Sequence, residues 1–185
     1  MTMSDNVLAH DAGVANDVFG MSDNTNLFQR VMSMREGGRE RSSRELQPGE
    51  TTMTLFKTVR PNIVQSIRAF RVPELAEEAA RLGHHFLYAW CAGAQSKAEV
   101  LETIATQFTL PKHFGKNYDA LYDCLTDMVH KAGAQPGFVI VLEGVPTALK
   151  FDKDARETLL DVFREAAEFW AERKVAFRVF YSFAA

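Results

Sequence analysis

The sequence predicts an α/β fold, a small parallel sheet with helices packed around it. Residues 84–91, 138–142 and 175–182 are runs of largely consecutive apolar side chains, as expected of short strands covered on both faces. Helical periodicity separates them. Val100, Leu101, Ile104, Ala105 and Phe108 make one inward stripe, and Leu159, Leu160, Phe163, Ala166, Ala167 and Trp170 make another. The order is therefore strand, helices, strand, helix, strand. Helical crossovers between short buried strands imply parallel pairing with right-handed connections.

Taken in order, residues 1–50 are rich in Ser, Asn, Asp, Arg, Glu and Gly and read as a mostly disordered leader. Its Arg35, Arg39, Arg41 and Arg44 could touch nucleic acid, but Glu36, Glu40 and Glu45 interleave with them and nearly cancel the charge. Residues 51–83 form an extension. Ser66 to Val72 alternates as a half-exposed strand or extended segment would, and Pro73 then opens a helix of about ten residues that Gly83 stops. In the strand at 84–91, His84 and His85 are adjacent and point to opposite faces, so they cannot chelate one metal together. Ser96 and Glu99 form a capping box for the next helix, and Asp154 with Glu157 is expected to cap the last one.

Composition limits the function. A chain of 185 residues with 46% apolar side chains can bury a substantial core. A net charge of −3 argues against phosphate-backbone binding. Cys91 and Cys124, both in apolar runs, read as buried free thiols of a reducing compartment. With no apolar run of membrane-spanning length and no secretion signal, a cytoplasmic location is expected.

The chain is organised around residues 110–131, a loop marked by Pro111 and Gly115 that breaks into a helix with Asn117 as N-cap. Leu121, Cys124, Leu125, Met128 and Val129 recur at the spacing of one core-facing stripe, while Asp119, Asp123 and Asp127 stand four apart on the opposite ridge. Like charges at that spacing repel, so helix stability alone does not ask for all three. An enzymatic use of the pair Asp119 and Asp123 fails because catalytic carboxylates need a concave, water-poor setting. No triad, zinc spacing or phosphate loop accompanies them, so no catalytic residue, metal or cofactor is expected.

At these residues the sequence resembles the barstar family, intracellular protein inhibitors of barnase-like ribonucleases. The resemblance rests on Leu110-Pro111, Phe114-Gly115-Lys116-Asn117 and Asp119 through Thr126, with a second block at Val162-Phe163-Arg164-Glu165-Ala166. It implies a domain over residues 84–185 with three short parallel strands. The helix before Gly83 has no counterpart in the minimal family fold and is read as an added N-terminal α unit. It further implies that the acidic helix enters a nuclease cleft, its carboxylates standing where RNA phosphates would lie. Asp119 and Asp123 match the family's acidic contacts, and Glu165 matches a further one. His113 occupies a loop position where the family often has an aromatic ring, and Tyr122 replaces a bulky aromatic contact. Asp127 and Met128 stand where the family has a small residue and a tryptophan, which implies a target other than barnase itself.

The expected partner is thus a basic ribonuclease or nuclease toxin, with no membrane and no direct nucleic-acid contact, and a monomer when free. Two other readings compete: a non-inhibitory interaction or regulatory module on the same fold, and an RNA-associated protein acting through the leader. On spacing alone the three aspartates read as a solvated face; the family resemblance favours a binding face.

Overall fold

The structure is a computed structural model that describes residues 55–184 except 69 and 129–132. A 3-10 turn at Leu55–Lys57 leads into β1 (Asn62–Ser66), α1 (Val72–Arg81) and β2 (His85–Trp90). Helices α2 (Lys97–Gln107) and α3 (Tyr118–Thr126) follow, then β3 (Gly137–Val145), α4 (Lys153–Glu172) and β4 (Ala176–Phe183). The strands form one parallel sheet in the order β1-β4-β3-β2.

The sheet has four strands, not three. The additional strand is β1, whose Ile63 and Val64 pair with Arg178 and Val179. It lies before the alternating stretch expected to be extended, and Val72 at the end of that stretch is already the first residue of α1. The chain turns between the two, the Phe70 N–H bonding the Ile67 carbonyl at 2.7 Å. Neighbouring chain fixes the start of β1: the Asn62 side-chain amide donates to the Ala167 and Val175 carbonyls, both at 3.0 Å.

Side chains alternate across the sheet and build two cores. Leu87, Ala89, Phe138, Ile140, Leu142, Phe177 and Val179 belong to the core that holds α2, α3 and α4. Tyr88, Val139, Val141 and Phe180 face the other way, against Leu75 and Ala79 of α1 and Phe56 of the 3-10 turn. Crossover handedness explains the split. The chain crosses from one edge at β1 to the far edge at β2, then returns through β3 and β4, and right-handed connections run in opposite directions must cover opposite faces. At the end of β3, Gly144 takes a φ of +71° at a register shift, and a Cβ there would fall 2.8 Å from that of Ala92.

Caps follow the sequence with one change. Ser96 accepts from the Glu99 N–H, while the Glu99 carboxylate reaches back to the Gln95 N–H at 2.7 Å. The last helix is capped by Asp152, whose carboxylate accepts from the Ala155 N–H at 2.9 Å, and not by Asp154. Phe151, fully buried just before it, sets where the chain enters the helix. The leader with its arginine cluster, and Val129 in the apolar stripe, lie outside the described residues.

Candidate protein-interaction site

The approach to α3 is a tight loop. The Phe114 N–H bonds the Pro111 carbonyl at 2.9 Å, burying the Phe114 ring, and Lys116 then takes a left-handed φ of 48°. Asn117 caps the helix, its carbonyl oxygen accepting from the Ala120 N–H at 2.7 Å. Lys116 pairs with Glu102 of α2, tying loop to helix.

Helix α3 is short, nine residues, and is held to α4 near both ends. The Tyr118 hydroxyl donates to the Ala155 carbonyl at 3.1 Å, and the buried Trp170 indole N–H donates to the Leu125 carbonyl at 3.0 Å. Leu121 and Leu125 are fully buried between these anchors. Burial, reinforced by the negative charge of Asp152, raises the Tyr118 pKa, so the hydroxyl stays a donor at neutral pH.

On the solvent side, Asp119 and Asp123 stand exposed one helical turn apart. The ridge is shorter than expected. The helix ends at Thr126, whose hydroxyl donates back to the Tyr122 and Asp123 carbonyls at 2.9 and 3.2 Å, so Asp127 is the C-cap residue. Asp127 stays exposed just past the last turn.

Two open depressions flank this ridge. One of about 400 Å³ lies between α3 and α4, lined by Asp119, Tyr122, Asp123, Asp161 and Glu165 among others. A second of about 500 Å³ lies toward the loop, with His113, Asp123, Cys124 and Asp127 around Phe114 and Phe169. Asp123 lines both. Of the six residues singled out from the sequence, five therefore surround the carboxylate of the sixth, Asp123, with Asp119, Tyr122 and Glu165 on one flank and His113 and Asp127 on the other.

Charge is not evenly free here. Arg164 bonds Asp161 and reaches Glu157, neutralising that part of α4. Among the described residues, no ion pair or hydrogen bond engages the side-chain carboxylates of Asp119, Asp123 or Glu165. Asp161 escaped the sequence reading as a site residue because only the packing of α3 on α4 brings it to the depression. Its spacing four before Glu165 was the one available signal.

The carboxylates are on exposed helix faces, and no group of three His, Cys, Asp or Glu among the described residues is placed to hold a metal ion. Neither Cys91 nor Cys124 forms a disulfide; burial pushes the Cys91 thiol up to about 12, and Cys124 is half-buried. No helix among the described residues is long and apolar enough to cross a membrane.

A family model described as Barstar (barnase inhibitor) matches residues 84–182. The match begins one residue before β2 and takes in α2, the loop, α3, both later strands and α4, leaving β1 and α1 outside it. Covering more than half of the chain, it carries the acidic helix and its supports in one continuous stretch, and the chain belongs to the barstar family.

Proposed function

We propose that this chain is a protein inhibitor that occludes the active-site cleft of a basic ribonuclease or related nuclease toxin, with Asp123 at the centre of contact. The observation that carries the reading is the group of three carboxylates, Asp119, Asp123 and Glu165, that line one depression without a cation among the described residues to neutralise them. A nuclease cleft gathers Arg, Lys and His to hold phosphates, so it offers the matching charge pattern. Rigidity supports the same reading. A helix already fixed by its cap, by Tyr118 and by Trp170 loses little conformational freedom on docking.

Inhibition then needs no chemistry from this chain. His113 stacks on or hydrogen-bonds to the target from the loop, Tyr122 adds aromatic contact, and Asp127 extends the acidic surface. Two cysteines without a disulfide fit action in the reducing cytoplasm.

The test is to titrate the purified chain into a panel of basic ribonucleases, following RNA cleavage and association rate. Expected is stoichiometric inhibition of at least one enzyme, with an association rate that falls as salt rises, because exposed opposite charges are screened within about 10 Å at 0.1 M. Tight binding to a protein that is not a nuclease would favour the interaction-module reading instead. A complex indifferent to salt would point to apolar docking and away from the aspartates.

A further inference from the structure

The two edges of the sheet are finished differently. At the outer edge of β2 the Trp90 N–H donates to the Gln107 side-chain oxygen at 2.8 Å, and the Gln107 amide donates back to the Trp90 carbonyl at 3.2 Å. That side chain takes the place of a neighbouring strand's peptide. At the opposite edge, β1 is joined to β4 through every second residue. The Phe177 N–H donates to the Pro61 carbonyl at 2.7 Å, and the Ile67 N–H donates to the Tyr181 carbonyl at 2.8 Å. By the same period of two, Ile63 and Gln65 face β4, and the backbone N–H and C=O groups of Asn62, Val64 and Ser66 face outward. No backbone hydrogen bond engages these outward groups among the described residues, and all five residues of β1 are only half-buried.

An open edge is a template for pairing, and proteins ordinarily blunt it with a charge, a proline or a bulge. Asn62–Ser66 contains none of these, and its register with β4 is unbroken. Both cores also run out here. Val64 is the half-buried residue of β1 that packs on one core, and Ile63 the one that packs on the other. A further strand would cover both side chains while its backbone paired with the outward groups.

The charges beside the edge select the occupant. Arg60 and Arg68 stand two residues before and two residues after β1, both exposed and neither in an ion pair among the described residues. In a second copy of this chain paired antiparallel about Val64, Arg60 would meet Arg68 of the other copy at each end, and like charges placed opposite repel. A strand with a carboxylate at each end reverses that sign. We propose that the outer edge of β1 is a docking site for an extended segment of another protein, β-branched in its middle and acidic at both ends, which joins the sheet as a fifth strand. The site lies outside the stretch that matches the family and does not depend on the inhibitor reading.

The test titrates the full chain at low salt with a seven-residue peptide, valine and threonine alternating between terminal glutamates, and compares the same peptide ended by lysines. It reads binding by fluorescence anisotropy and amide hydrogen exchange by NMR. Expected are one saturable site for the glutamate-ended peptide, roughly tenfold weaker binding of the lysine-ended one, and new exchange protection at the N–H groups of Asn62, Val64 and Ser66. The double variant Arg60→Glu/Arg68→Glu should reverse the preference between the two peptides. Val64→Pro removes one outward N–H without touching the bonds to β4, so it should fold and lose the peptide. No saturable binding at millimolar peptide overturns the site, as does equal binding of both peptides by the parent, or protection that appears at β2 instead. A parent chain that sediments as a dimer, and becomes a monomer with Val64→Pro, overturns the choice of occupant.

Discussion

Asp123 lines the depressions on both sides of α3, so any partner seated on either flank meets its carboxylate. Truncating a desolvated interfacial charge leaves the partner's cation unpaired. Asp123→Ala should therefore weaken the complex by about 2–5 kcal/mol, a range to which barnase and barstar themselves contribute, while changing folding stability much less. Isothermal titration with the cognate nuclease checks this, and equal affinity for parent and variant removes Asp123 from the contact. At this scale the sequence was informative where helical spacing decides, as for Asp119 and Asp123. It was silent where a second element decides: Arg164 takes Asp161 out of the free charge, leaving Glu165 beside it open. The same sequence pattern of acids on α4 hid both outcomes.

At the scale of elements, α3 works as a stiff presenter only because its short length is compensated by fixed ends. Asn117 is its N-cap, and losing such a cap costs about 1 kcal/mol. Asn117→Ala should lower the denaturant midpoint accordingly and weaken target binding beyond what the unchanged carboxylates suggest. A variant with lowered stability and unaltered affinity would show that pre-ordering of α3 is unimportant. The stripe Leu121, Leu125 and Met128 was legible because burial imposes a period, and all three are buried. The end of the helix was not, because the backbone leaves helical geometry at Asp127 and nothing in the apolar pattern records that. Asp152 and Asp154 are equally good capping residues on paper; the burial of Phe151 selects the first.

For the whole molecule, strands β2, β3 and β4 declared themselves as apolar runs, whereas β1 contains only Ile63 and Val64 between polar residues. An edge strand half-covered on both sides shows neither alternation nor a continuous run, so its place in the sheet emerges only from pairing with β4. Closing the fold also encloses two histidines. Burial lowers the pKa of His85, and at His84 burial is joined by Arg178 while Glu78 opposes. Both folded values lie below the unfolded 6.5, so the unfolded chain binds protons more readily. The stability they contribute is whole above about pH 6.5 and is lost as pH falls from there toward the folded values. The thermal midpoint should be level near neutrality and decline on acidification. His85→Leu should remove part of the decline, and a parent chain with a level midpoint down to about pH 5.5 would contradict the account.

The bond from the Trp170 indole to the last turn of α3 gives the protein an optical gauge of its own. The chain has two tryptophans, and the other, Trp90, is 43% exposed. With Trp90→Phe, emission comes from the indole that grips α3 alone. Its colour and intensity should then register whether that helix is seated, in real time and without a label, as a target docks or as denaturant pries the helix away.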